Sequence, residues 1–157
     1  MIEHVSFEKT TYNVLPYKFE AGTPNYVGSY AFGVAIDYVQ EVGLEAIAKY
    51  EHELAAYLEE QLALLSNVRV YAAGQEKAGA VSFNVYREDG ALIHPFDVGV
   101  LLDRQGVAVR TGHHCAEPLI DYLGVPGTVR ASVAMYNTKE DIDTFIAALK
   151  KAIMMLE

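Results

Sequence analysis

The chain of 157 residues contains a single cysteine, Cys115. One thiol cannot close an internal disulfide, so the fold must stand on packing alone. That usage fits a reducing compartment such as the cytoplasm. Basic residues are also scarce, with 12 Lys and Arg against 21 Asp and Glu and a net charge of −9. The balance argues against nucleic acid, whose binding rests on clustered cations. It equally disfavours docking on an anionic membrane surface. No apolar run approaches the roughly 20 residues that a membrane span needs. The opening Met1-Ile2-Glu3-His4 has neither the basic start nor the apolar stretch of a secretory signal. Nucleic acid and membrane are therefore not expected partners.

What the chain does have is material for a core. Hydrophobic residues make up 52% of it, and a domain of this size buries roughly 68–70% of the surface its unfolded form exposes. Residues 1–28 stand apart. They are polar, β-branched and aromatic, broken by Pro16, Gly22, Pro24 and Gly28, and no helical period survives there. An irregular start this long is unusual in a compact domain, and it reads as an extended arm that lies across something else. Residues 29–157 read as the domain proper. A helix is expected over Ser29–Val42 and ends at Gly43. A second carries Leu44, Ile47, Leu54, Leu58, Leu62 and Leu65 at three- and four-residue steps. Strands are expected at Val68–Tyr71, Ala80–Val85, Val107–Arg110 and Val129–Val133. A third helix follows His94-Pro95, with Gly106 placed to cap its end. Thr138-Lys139-Glu140-Asp141 has capping-box spacing and opens a last helix bearing Ile142, Phe145, Ile146, Leu149 and Ile153. Helices alternating with four short strands imply an α/β fold, a sheet with helices packed on it.

Three stretches carry chemistry. In Arg110-Thr111-Gly112-His113-His114-Cys115-Ala116 the thiol sits beside two imidazoles and a guanidinium. Cationic surroundings of this kind favour the thiolate, the nucleophilic form of a cysteine. The plainer reading is a half-exposed thiol in a surface loop. Zinc does not fit: three adjacent ligands crowd one tetrahedron and no second cysteine supports them, so no metal is expected. Arg130 lies inside the otherwise apolar Val129-Arg130-Ala131-Ser132. An unpaired buried charge is costly, and a guanidinium fork suits a carboxylate bidentately. Arg130 is therefore either a clamp on a substrate carboxylate or half of a structural ion pair. Gly22-Thr23, within Phe19-Glu20-Ala21-Gly22-Thr23-Pro24-Asn25, can offer a backbone N–H and a hydroxyl to a phosphate.

In order and spacing these stretches, together with Met135-Tyr136-Asn137-Thr138, resemble the C-terminal part of a group II (Suf-type) cysteine desulfurase or selenocysteine lyase, of the class V aminotransferase superfamily. The resemblance covers nearly the whole chain. It implies the small C-terminal domain of a fold type I pyridoxal 5'-phosphate-dependent transferase. Residues 1–28 would then normally form part of the link to a cofactor-binding domain. It implies that Cys115 is the persulfide-forming nucleophile, that Arg130 binds the substrate carboxylate, and that Arg110 is a second active-site arginine. Gly22 and Thr23 match residues that reach the phosphate of a partner subunit's cofactor. The implied substrate is L-cysteine or L-selenocysteine, the implied assembly a homodimer, with a sulfur-acceptor protein as a further partner. The family's Schiff-base lysine has no counterpart among Lys9, Lys18, Lys49, Lys77, Lys139, Lys150 and Lys151. A pyridoxal enzyme needs that lysine. The chain is thus expected to be a fragment that binds no cofactor and does not catalyse alone. The alternatives to a cysteine desulfurase fragment are a selenocysteine lyase fragment, or a non-catalytic persulfide carrier or interaction module.

Overall fold

The computed structural model describes all residues 1–157. The chain divides into two compact units, Met1–Gly43 and Leu44–Glu157.

The first unit is less extended than its sequence suggests. Strands β1 (Ile2–Val5) and β2 (Thr10–Tyr12) pair antiparallel, a short 3-10 turn spans Tyr17–Phe19, and helix α1 runs Tyr26–Val42. The hairpin escapes sequence reading because both strands are exposed and no alternation toward a core marks them. Helix α1 starts three residues before the expected Ser29, at Tyr26. The Asn25 side chain caps it by accepting from the Gly28 N–H at 3.0 Å. Gly28 is therefore part of the start signal and not a breaker. A Cβ there would lie 2.5 Å from Asn25 Nδ2, so glycine is what lets the cap close. No residue of this unit is buried.

The second unit holds the core. Its helices are α2 (Leu44–Ala63), α3 (Pro95–Asp103), α4 (Glu117–Leu123) and α5 (Lys139–Leu156). Its strands are β3 (Val68–Val70), β4 (Ala80–Tyr86), β5 (Leu92–Ile93), β6 (Arg110–Gly112) and β7 (Thr128–Ser132). They form one antiparallel sheet in the order β3-β4-β7-β6, with β5 also paired to β4. The α/β architecture is as expected, with a fifth strand. β5 is two residues long, too short for a periodicity to register. The helix at α4 was also unforeseen, since only Ile120 of its seven residues is buried.

Alternation along the strands makes one face of the sheet apolar. Val81, Phe83 and Val85 of β4 and Val129 of β7 are at most 1% exposed. Leu54, Leu58 and Leu62 of α2, Val98 and Leu102 of α3, and Leu149 of α5 join the same cluster. Phe83 meets Phe145 edge-to-face, ring centroids 6.0 Å apart. The capping box is formed in full at Thr138 and Asp141. The strand expected at Val107–Arg110 pairs later, at Arg110–Gly112. The reason lies in the end of α3: the Val107 N–H bonds the Leu102 carbonyl and the Gly106 N–H bonds that of Asp103. The backbone there closes the helix before it can join the sheet.

Gly99 sets how closely α3 approaches β6. A Cβ at this position would lie 2.7 Å from Thr111 Cγ2. Alanine normally gains up to about 1 kcal/mol over glycine in a helix, but overpacking a tight contact costs about 1–3 kcal/mol. Gly99→Ala is therefore expected to lower stability to urea, and adding Thr111→Ser, which removes the obstructing methyl, to restore most of the loss. Independent effects of the two changes would contradict this contact.

Candidate active site

On the other face of the sheet the same alternation places polar groups: half-buried Ser82 and buried Asn84 from β4, and buried Thr128 and half-buried Arg130 from β7. The register of β6 on β7 pairs Arg110 with Arg130, Thr111 with Val129 and Gly112 with Thr128. Directly opposed residues share a face, so Arg110 and Arg130 stand side by side. No carboxylate pairs with either, for the ion pairs of the chain are Lys77–Glu59 and His113–Glu117. Arg130 Nε is buried without a hydrogen-bond partner. Within this chain Arg130 therefore has no ion-pair partner.

A cavity of about 340 Å³ opens on this face, lined among others by Tyr71, Ser82, His114, Ile120, Thr128 and Arg130. No acidic residue lines it. Lys77 does, but its Nζ lies 2.5 Å from Glu59 Oε2 and also bonds the Ala72 and Gln75 carbonyls. Burial alone would raise the Glu59 carboxyl, yet the bonds from Lys77 and the Gly74 N–H outweigh it and hold Glu59 below the usual carboxylate range. Lys77 is committed to structure, which leaves Arg130 as the free cation of the cavity.

Beside the cavity the chain turns sharply after β6. The Ala116 N–H bonds the His113 carbonyl at 2.9 Å, and the two central residues, His114 and Cys115, both have positive φ, 55° and 60°. Two successive left-handed residues suit a tight reverse turn, where Asn and Gly are usual. Side-chain-bearing residues cost roughly 1–2 kcal/mol each in this conformation, a strain typical of functional sites. Gly127 lets the backbones pass closely, since a Cβ there would lie 3.0 Å from the Gly112 Cα, while Gly112 itself supplies a φ of 109° at the entry to the turn.

The turn presents Cys115 exposed to solvent, Sγ 3.5 Å from Arg110 Nη2. Cys115 is flanked by the cavity residues His114 and Ala116 without itself lining the space. His114 is tucked in, Nε2 2.9 Å from Thr128 Oγ1 and 3.1 Å from the Thr128 carbonyl. Burial holds its imidazole below the ordinary histidine value, the Thr128 bond opposes that shift, and the cations Arg130, Arg110 and His113 add to it. Sequence reading treated His113 and His114 as equivalent neighbours of the thiol. The structure separates them, since His113 is exposed and faces Glu117 at 4.0 Å. The structure thus brings Arg110, Cys115 and Arg130 together. Gly22 and Thr23 lie in the first unit, in an exposed bend before α1. No group of three or more His, Cys, Asp or Glu side chains is arranged to hold a metal ion, and no helix is long and apolar enough to cross a membrane.

The sequence profile of the aminotransferase class-V family matches residues 1–145, and the chain belongs to that family. The relatives it resembles are cysteine desulfurases. A probable cysteine desulfurase of Halalkalibacterium halodurans is 48% identical over 151 residues, 96% of this chain and 36% of that protein. The crystal structure of the cysteine desulfurase CsdA of Escherichia coli, in an S-sulfonic acid form, superposes with a TM-score of 0.83 at 34% identity, covering 100% of this chain and 38% of that one. The apo cysteine desulfurase of Thermococcus onnurineus gives a TM-score of 0.83 at 39% identity, covering 99% and 38%. The chain therefore spans a little over a third of the length of the relatives it matches.

The family depends on pyridoxal 5'-phosphate in its full-length members. The residues here meet that coenzyme's needs only in part. Gly22 has a φ of 75° and open space where a Cβ would stand. No lysine lining the cavity is free to bind the aldehyde, because Lys77 is held by Glu59 and no other lysine lines the space. Nor does the cavity offer a carboxylate for the ring nitrogen. The residues lining this cavity do not fit the coenzyme as a covalent guest.

Two outcomes follow from the electrostatics. Opposed like charges destabilise a strand pair, so Arg110→Gln is expected to raise stability by a few tenths to about 1 kcal/mol at low ionic strength, and less in salt. Urea midpoints at two salt concentrations measure it. Because the folded His114 binds its proton less readily than the unfolded chain does, its contribution is intact above about pH 6.5. It is lost as pH falls through that value toward the lower folded one. His114→Gln should flatten that part of the acid loss, read as the difference in midpoints between the two proteins from about pH 8 to about pH 5.

Proposed function

We propose that this chain is the sulfur-accepting C-terminal part of a cysteine desulfurase. The observation that carries the reading is an exposed thiol against one arginine, beside a second arginine that has no acid to pair with at an acid-free cavity. In the net reaction L-cysteine and the Cys115 thiol give L-alanine and a Cys115 persulfide. The Cβ–S bond of the substrate breaks, the S–S bond forms at Sγ, and the hydrogens balance on the two sides.

In this reading Arg130 binds the substrate carboxylate through its fork, and Arg110 attracts the negative sulfur species beside Cys115. Gly22 and Thr23 contact the phosphate of a cofactor held by a partner subunit in a homodimer. When bound, pyridoxal phosphate supplies the electron sink that makes the C–S bond labile. The lysine that holds it would come from a part of the enzyme outside these residues, and a separate acceptor protein would take the persulfide sulfur. The names of the relatives favour cysteine over selenocysteine as substrate. A reducing cytoplasm would keep the single thiol free between turnovers.

The test supplies sulfur from an active cysteine desulfurase with L-cysteine and weighs the intact chain. A mass gain of one sulfur atom is expected, absent in Cys115→Ala; no gain, or a gain that persists in the variant, overturns the acceptor role. In a complete enzyme containing this part, Cys115→Ala should stop persulfide formation. Arg130→Ala should lower kcat/KM for L-cysteine by about 10- to 100-fold, the worth of a charge-assisted hydrogen bond.

A further inference from the structure

The two members of the reactive pair reach β7 by different routes. Arg110 is registered on it by the strand ladder, opposite Arg130. Cys115 lies beyond the turn, outside any ladder. Apart from the contact with Arg110 itself, one side chain ties residues 113–116 to the sheet by hydrogen bonds, and it is that of His114.

The partners of that imidazole define its chemistry. Nε2 faces the Thr128 carbonyl at 3.1 Å. A carbonyl oxygen has no proton to give, so Nε2 carries the proton and donates it. Thr128 Oγ1, at 2.9 Å, shares the same N–H. Nδ1 is buried with no partner, which suits the bare lone pair of a neutral ring and not a second N–H. Thr128 is itself a firm anchor. It is 2% exposed, lies two residues from Arg130, and pairs with Gly112 at the end of β6.

We propose that His114 is a positioning residue for the acceptor thiol: its Nε2–H, held by the Thr128 carbonyl, clamps the left-handed His114–Cys115 turn to β7 and so sets the contact between Cys115 Sγ and the Arg110 guanidinium. Both ends of that contact are thereby referred to one strand. The clamp also offsets the strain of two positive-φ residues, which would otherwise relax and carry the thiol away from Arg110. The purpose of the clamp rests on the reading of Cys115 as a sulfur acceptor. The clamp itself is a property of this chain and is tested without a sulfur donor.

The experiment compares alkylation of Cys115 by iodoacetate and by iodoacetamide. A guanidinium beside the thiol attracts the anionic reagent and leaves the neutral one unaffected, so the ratio of the two rates reports the Arg110–Cys115 juxtaposition. Arg110→Ala is expected to lower this ratio by about three- to fivefold. His114→Phe, which fills the space without a donor, should lower it as far. His114→Gln, whose amide N–H can reach the same carbonyl, should keep the wild-type ratio. General loosening of the fold would change both rates together in all three variants. A wild-type ratio in His114→Phe overturns the proposal, as does a fall in His114→Gln equal to that in His114→Phe. Should His114→Phe fail to fold, long-range ¹H–¹⁵N correlation of the wild-type imidazole at neutral pH decides. The Nε2–H tautomer supports the clamp; the Nδ1–H tautomer or a charged ring overturns it. If these outcomes hold while Cys115 gains no sulfur, the acceptor reading fails and the clamp stands.

Discussion

The pairing of β6 with β7 is the constraint on which the site depends. It places two guanidinium groups directly opposite each other, Arg110 and Arg130, with no carboxylate to separate them. Such an arrangement opposes folding and has to be held by something stronger. What holds it is the apolar face of the same strands. Val129 and Ala131 alternate with Arg130 and belong to the cluster packed under α2, α3 and α5. Slipping β6 by one residue would relieve the repulsion, but it would also turn Thr111 away from Gly99 of α3 and Arg110 toward the core face. The core thus maintains a pair of opposed arginines that has no counter-charge within this chain. The Cys115 turn is strained in the same way, held against its preference by its link to Thr128.

Much of this was legible in the sequence, for particular reasons. Long elements with a clean period declared themselves: α5 through its capping box and its stripe of Ile142, Phe145, Ile146, Leu149 and Ile153, and β4 through Val81, Phe83 and Val85. Short or one-sided elements did not. The strands β1, β2 and β5 have too few residues, or too little burial, to alternate, and α4 buries only Ile120. Boundaries were lost where a local bond decided them. Asn25 moved the start of α1, and the closing bonds of α3 delayed β6.

At the candidate site, Cys115, Arg110 and Arg130 stood out in the sequence as residue types, while the spatial relations between them did not. The facing of the two arginines is a matter of strand register, which adjacency in the chain does not reveal. The division of labour between His113 and His114 was equally hidden. The two side chains differ in what lies across from them, and Thr128 is 14 residues from His114 in the chain. A residue so distant leaves no local signal.

The position of β6 in the sheet has a further consequence. In the order β3-β4-β7-β6 it is an outermost strand, and outermost strands offer unpaired backbone to any passing chain. This one is three residues long, begins with an exposed arginine and ends at a glycine of positive φ, where the chain bends away. Shortness, charge and a bend are what keep such borders from zipping onto one another. The features that shape the thiol's surroundings thus also make this border a poor template for aggregation.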